Sequence, residues 1–179
     1  GGVLNVGSLT GSDMAISNAI CADLYAPYLV ELGGAGGTIR AVTNLWIPAR
    51  ATLYGSGSDA ITLDSREWTI SMTNVLSGAG GLNKAGSGTL LLSGKNSFTG
   101  LTQVAEGTLL LGGAGALTNV PLAVASGAAL DLGGFAVVKA AGLSGGGSVS
   151  NGTLTVEGRI EPGDGAIGTL SLALANAAP

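Results

Sequence analysis

Carboxylates are the residues of this chain with the best potential for acid–base chemistry. The 179 residues include no histidine, which excludes a Ser-His-Asp or Cys-His nucleophile and a histidine-ligated metal. A glycan hydrolase or lyase would need converging carboxylates, or a Ca²⁺ site with a base. The candidate sets are Asp59 with Asp64 and Glu67, and Glu161 with Asp164. Strand or turn residues separate the members of both sets, so solvated carboxylates on turns are the favoured interpretation.

Glycine-rich segments give no stronger signal for a ligand. Residues 55–61 resemble one calcium-binding nonapeptide unit, but such sites require tandem copies and this chain has one. The glycines at 34–37 and 145–147 are typical of turns, and neither run has the strand-to-helix context of a phosphate cradle. The sequence therefore predicts no catalytic residue, no metal ligand and no cofactor.

A repeat with a period of about 20 residues, which is typical of solenoid turns, organises the second half of the chain. The segment Gly-Ser-Gly-Thr-Leu-Leu-Leu-Ser-Gly at 86–94 returns in altered form at 106–113, 127–134, 151–158 and 167–172. The first apolar strand residues of the copies are Leu90, Leu109, Leu130, Leu154 and Leu170, so the copies are unevenly spaced. Short strands closed by glycine at such a period predict a solenoid.

The residues within each copy alternate with a period of two. Leu90 and Leu92 face one side of the strand, and Leu91 faces the other. The inner positions of successive copies should therefore form one apolar column, with neighbouring turns about 4.8 Å apart. We expect this column to consist of Leu90, Leu109, Leu130 and Leu154.

A second apolar column begins a few residues earlier in each copy. Its predicted members are Val104, Val124 and Val149, and the corners between the two columns contain Gly107, Gly127 and Gly152. Glycine suits such corners because it reaches positive φ without steric cost. The fold predicted is all-β, a right-handed parallel β-helix with glycine-rich corners. The variable spacing disfavours a left-handed hexapeptide helix.

The repeat also resembles a known family at the level of individual residues. Residues 80–110 are similar to the passenger-associated strand repeat of bacterial autotransporters, and the similarity extends less closely over 76–172. The matching positions are Lys84, 86–92, Asn96, Phe98, Thr99, Gly100 and 104–109. This resemblance implies a right-handed β-helical stalk outside the outer membrane.

Composition limits the classes of partner. The formal net charge is −4, charged residues make up 10% and the mean hydropathy is +0.51, so the chain is not of the disordered type. Basic residues are scattered and form no stripe, so we expect no nucleic-acid partner and no polybasic membrane anchor. Residues 107–130 are uncharged, yet their glycines, Pro121 and alternating pattern predict buried strands rather than a membrane-embedded helix.

The segment 1–75 is less regular. Short strands are predicted at 3–6, 28–32, 38–42, 51–54, 60–63 and 68–72. Residues 12–24 have two interpretations, a further β-helix turn, which we favour, or a helical cap. Cys21 has no second cysteine in the chain to pair with; we favour a buried residue, and an intermolecular disulfide is the alternative. Five aromatic residues here either pack or form a binding surface: Tyr25, Tyr28, Trp46, Tyr54 and Trp68.

These features favour one continuous domain, with irregular turns or a cap at 1–75 and a regular β-helix at 76–179. The function favoured is that of a non-enzymatic stalk or spacer in a secreted or cell-surface bacterial protein. The alternative is a fibre subunit that self-associates end to end through its open β-helix ends. A polysaccharide-active enzyme is the third and least favoured hypothesis. A surface glycan or host ligand stays open as a partner.

Overall fold

The computed structural model describes residues 4–5, 14–16, 29–33, 37–47, 50–135, 138–163 and 171–173. These residues form strands, joined by turns and by one 3₁₀ turn at Gly57–Asp59. In the first half the strands are β1 (Leu4–Asn5), β2 (Met14–Ile16), β3 (Leu29–Gly33), β4 (Gly37–Ala41), β5 (Leu45–Ile47), β6 (Arg50–Tyr54), β7 (Ile61–Asp64), β8 (Thr69–Met72), β9 (Leu76–Ser77) and β10 (Leu82–Ala85). In the second half they are β11 (Thr89–Leu92), β12 (Thr102–Val104), β13 (Thr108–Leu111), β14 (Thr118–Val124), β15 (Ala129–Asp131), β16 (Val138–Gly145), β17 (Ser148–Ser150), β18 (Leu154–Val156), β19 (Ile160–Pro162) and β20 (Ser171–Ala173).

The strands stack into three parallel sheets, which are the faces of one β-helix. Face A has the order β1-β3-β6-β9, and face C has the order β20-β17-β15-β13-β11-β8-β5. Face B has the order β18-β16-β14-β12-β10-β7-β4-β2, and β19 also pairs with β16. Over the described residues this makes about six turns. The predicted all-β parallel β-helix is therefore confirmed.

Face A changes character along the helix. The turns β3–β5, β6–β8 and β9–β11 each place one strand on every face. Face A has no strand after β9 among the described residues, and the chain crosses that side at 93–101 and 112–117 without one. The later turns are therefore held by strands on two faces and by other contacts on the third.

The core consists of inward side chains stacked turn upon turn. On face C the register joins Leu45, Ile70, Leu90, Leu109, Leu130 and Val149 in one buried column. On face B the corresponding column runs Ile39, Leu63, Lys84, Val104 and Val124. Parallel strands buried on their inner face gain most of their stability from this burial. A lysine in such a column has to find polar partners inside the helix.

The predicted position of Leu154 is wrong. Leu90, Leu109 and Leu130 stack as predicted, but the next residue of their column is Val149, which the sequence pattern assigned to the second column. Leu154 lies on face B instead, paired with Val138. The longest spacing between copies precedes Leu154, and it includes one strand more than the spacing before it. The Gly-Thr-Leu pattern thus identifies a strand but does not specify its face.

The irregular segment 1–75 continues the same helix where it is described. Strands β1, β3, β4, β6, β7 and β8 overlap the six predicted segments. Met14–Ile16 is a strand paired with β4 rather than part of a helix. The other residues of 12–24, including Cys21, lie outside the described residues. Within the described part of the chain, no helix has the length and apolar character needed to cross a membrane.

Candidate functional site

The first carboxylate set does not form an acidic pair. Asp64 accepts a hydrogen bond from Arg40 Nε on the preceding turn at 2.7 Å and another from the Arg66 backbone N–H at 2.9 Å. Partial burial acts to raise the pKa of Asp64, but these hydrogen bonds and the two arginine charges hold it below its ordinary value. Asp59 and Glu67 are exposed. Asp64 therefore links two turns as an ion-pair partner.

The second set is similarly dispersed. Glu161 pairs with Arg159 at 2.8 Å on the exposed side of β19, and Asp164 lies outside the described residues. Both side chains of this pair border an open groove of about 290 Å³, whose lining also includes Pro121, Leu122 and Leu143. Across the described residues, no three cysteine or acidic side chains come close enough together to hold a metal ion.

The described aromatic residues occupy different faces. Trp46 lies on face C and is 48% exposed, and Tyr54 ends β6 on face A and is 45% exposed. Trp68 packs against the core, whereas Tyr25 and Tyr28 lie outside the described residues. Trp46, Tyr54 and Trp68 therefore do not form one contiguous binding surface.

The most unusual chemistry lies inside the β-helix, at Lys84. Its side chain is fully buried, and its Nζ donates to the backbone oxygens of Ala85 at 2.9 Å, Gly86 at 2.6 Å and Glu106 at 3.0 Å. An ammonium group has three N–H donors, so all three are used. Burial lowers the pKa of Lys84 to about 8, although the charges of Asp64 and Glu106 act to raise it.

The geometry of the corner between faces B and C explains why side-chain hydrogen-bond donors are needed there. Between register-matched residues the corner spans 64–68 in one turn, 85–88 in the next and 105–107 in the third, and so becomes shorter each time. Corners of unequal length cannot pair their backbone groups one to one. The Lys84 ammonium and the buried Ser65 hydroxyl, 3.2 Å from Ala85 O, supply donors to the inward carbonyls.

A second buried polar side chain compensates for the missing strands on face A. Asn96 Oδ1 accepts the Leu76 backbone N–H at 2.8 Å, and Asn96 Nδ2 donates to Ala116 O at 2.7 Å. One amide side chain thus joins three consecutive turns where no strand follows β9 among the described residues. Its two hydrogen bonds take the place of a ladder rung.

Two more residues of the repeat serve close packing. Phe98 is buried in the core. A Cβ atom at Gly100 would lie 2.3 Å from Gly80 O, so only glycine fits between these two turns. The repeat residues Lys84, Asn96, Phe98 and Gly100 therefore hold turns together. The sequence pattern did not predict this role for Lys84, although its place two residues after Leu82 in an alternating strand signals an inward side chain.

Comparison with known proteins identifies the repeat. Residues 82–111 match the family model described as the passenger-associated-transport-repeat. The chain is also similar to the adhesin BmaC autotransporter of Brucella suis biovar 1 (strain 1330), with 38% identity over 66 residues. That match covers 37% of this chain and 2% of the adhesin. No solved structure matches the chain.

The resemblance seen in the sequence is therefore confirmed for the repeat. Residues 82–111, which match the family model, form the stack from β10 to β13 at the middle of the β-helix. The repeat and the adhesin match indicate a secreted or cell-surface protein. The β-helix fold and this repeat together support a structural segment of a passenger domain.

Proposed function

We propose that this chain is a non-enzymatic stalk or spacer segment of a bacterial surface passenger. The observation that carries the proposal is the inward direction of the repeat's polar residues. Lys84 and Asn96 bind backbone groups of neighbouring turns, so the most specific residues of the repeat serve stacking rather than ligand binding. Turns that bury their polar groups against each other form a rod whose length is set by the number of turns.

A stalk should tolerate the loss of one whole turn but not of half a turn. Residues 102–121 form one turn, because Thr102 and Leu122 are register partners. Deleting 102–121 should preserve a cooperatively folding β-helix, and solution scattering should show a rod shorter by about 5 Å. Deleting only 102–111, the matched control, should abolish the strand signal in circular dichroism. An equal loss of the strand signal after both deletions would contradict a modular stalk.

A surface-display experiment would test the spacer role itself. A passenger that carries a reporter domain beyond this segment should still present the reporter after deletion of 102–121. Loss of the reporter from the surface, with the shortened chain still folded, would contradict a spacer.

The non-enzymatic part of the proposal has its own test. The chain should leave polygalacturonate and other acidic glycans intact, with and without Ca²⁺, because its described carboxylates are dispersed or paired with arginine. Product formation would be followed by the release of reducing ends. Glycan turnover that disappears in Asp59→Asn or Asp64→Asn variants would overturn the non-enzymatic proposal.

End-to-end self-association is the second candidate function. Ile160 continues the inner column as the partner of Leu143, yet it is 49% exposed. Among the described residues no strand pairs with the outer edge of β19 on face B, so this edge offers apolar surface and backbone groups to another chain. Filaments in micrographs that disappear with Ile160→Lys or Ser171→Pro, and persist with Lys139→Ala, would support association through this end. Filaments unaffected by both end substitutions would exclude it.

A further inference from the structure

We propose that the corner around Lys84 is a binding site for one ammonium ion, built from backbone carbonyls, and that the lysine side chain is its tethered occupant. In this interpretation the site is formed by the β-helix backbone and is separable from the lysine stem. A small primary ammonium ion should therefore bind to it once the lysine has been truncated. The inference concerns a site inside the repeat and does not depend on the stalk role.

The donor and acceptor geometry fits such a site. The oxygens of Ala85, Gly86 and Glu106 lie 2.6–3.0 Å from Nζ, which is the range of charge-assisted hydrogen bonds. Carbonyl oxygens arranged around one point can replace the hydration shell of a cation, as they do in ion-selective filters. Two of these oxygens belong to one turn and the third to the next, so an occupant joins the turns.

The charges around the corner also favour a cation. Burial lowers the pKa of Lys84, and the carboxylates of Asp64 and Glu106 both act to raise it, so their negative charges offset part of the cost of burying a cation at this point. Arg40 and Arg66 both act on the pKa of Asp64 and offset part of that negative field. Water is excluded, because the Lys84 side chain is fully buried. Partial charges act more strongly in such a site than in solution.

The corner after Val124, two turns later, shows what happens without a cation. Val104 and Val124 take the place of Lys84 in the following two turns. At the later corner, the Ala128 backbone N–H donates to Ala125 O at 2.9 Å. That corner satisfies an inward carbonyl with its own backbone. The corner at Lys84 is therefore the one at which the described chain uses an ammonium group as the donor.

Chemical rescue tests the proposal directly. Lys84→Ala removes the atoms that n-propylammonium contains, so the folding equilibrium of this variant should be measured against n-propylammonium chloride at constant ionic strength and pH 7. We expect a saturable gain, about tenfold in the folding equilibrium constant when the ion is at ten times its Kd. The wild type should not show this saturable gain. Tetramethylammonium, which has no N–H donor, should give no gain with either chain.

The control variant is Lys95→Ala, which removes an exposed lysine of the same repeat and should not respond to n-propylammonium. Equal responses of Lys84→Ala to the two ions, or of Lys84→Ala and Lys95→Ala to n-propylammonium, would overturn the proposal.

The wild-type chain provides a test that does not require the variant to fold. The lysines of the chain are Lys84, Lys95 and Lys139. With ¹⁵N-labelled lysine, the ammonium protons of Lys84 should exchange with water at least a hundredfold more slowly than those of the other two. Indistinguishable exchange rates for all three ammonium groups would contradict an enclosed site.

Discussion

Two neighbouring turns, 82–101 and 102–121, have matching strands but different inward side chains. Their strands pair in register on faces B and C. The first turn places Lys84 where the second places Val104, and the second places Thr102 where the first has Leu82. The hydroxyl of Thr102 has no hydrogen-bond partner among the described residues. The inward polar side chains of the first turn thus bind its neighbours, and that of the second does not.

Apolar and polar side chains in the interior of the β-helix therefore have different roles. Apolar columns favour stacking but do not select a partner turn, because one leucine rung fits another nearly as well as the next. A buried polar group contributes only where its partners are in place, and it is costly elsewhere. The polar contacts of 82–101, which are made to backbone groups, therefore hold the neighbouring turns in register, and the apolar contacts of 102–121 supply burial.

Among substitutions in these two turns, removal of the Lys84 side chain should cause the largest loss of stability. Lys84→Ala leaves a cavity where the stem was and takes a donor from three carbonyls, so we expect a loss of about 3–4 kcal/mol in the free energy of unfolding. Val104→Ala, the register-matched change in the next turn, should cost about 2 kcal/mol. Urea unfolding of both variants would measure the difference. A smaller loss for Lys84→Ala than for Val104→Ala would contradict the role of Lys84 in holding its neighbouring turns in register.

The titration of Lys84 should contribute to the pH dependence of the free energy of unfolding. Lys84 has an ordinary pKa of 10.5 and titrates at about 8 in the folded chain. Between these values the unfolded chain binds more protons, so the free energy of unfolding should rise with pH. The rise attributable to Lys84 approaches about 3 kcal/mol at about 1.4 kcal/mol per pH unit. Below pH 8 both states are protonated and this contribution is flat.

Lys84→Met isolates that contribution, because it keeps a long side chain and removes the titrating group. The difference in unfolding free energy between wild type and Lys84→Met should change steadily from pH 7.5 to pH 10 in favour of the wild type, since titrations common to both chains cancel. A constant difference over this interval would show that Lys84 titrates alike in the folded and unfolded chains.

Substitution of Asn96 should destabilise the chain less than substitution of Lys84 but more than substitution of neighbouring residues. Asn96→Ala removes the hydrogen bonds to Leu76 and Ala116, and we expect a loss of about 2 kcal/mol. Ser97→Ala, at the adjacent exposed position, should stay within about 0.5 kcal/mol of wild type. Thermal unfolding of both variants would test this. Equal stability of the two would mean that the face A crossing does not need the amide.

The smallest expected change in stability is a gain, and it should come from substitution of Thr102. Thr102 is fully buried, and within the described residues its hydroxyl has no hydrogen-bond partner. Thr102→Val keeps the shape and removes the unpaired group, so it should stabilise the chain by about 1 kcal/mol. Thr99→Val, at an exposed position, should not. A destabilised Thr102→Val variant would indicate that the hydroxyl has a partner such as a buried water.

The outward residue Asp131 shows what strand periodicity can and cannot predict. The alternation places Asp131 on the outer side of its strand, and its partial exposure agrees. The structure adds that Asp131 accepts hydrogen bonds from the Gly133 N–H and from Asn151 Nδ2, at 2.8 and 2.9 Å. Periodicity identifies the side of a strand, but it contains no information about partners from the next turn.

The sequence by itself determined the fold class, the strands and the repeat. A period-two pattern that recurs once in every turn encodes strands that bury one side against their copies, and this information is local. The family resemblance also indicated that Lys84, Asn96 and Phe98 belong to one motif. The tertiary structure decided which face each strand occupies, as with Leu154 and Val149, because the lengths of the intervening corners add up along the chain. It also decided that Lys84 points inward onto carbonyls of two turns, since those oxygens meet only when the turns are stacked.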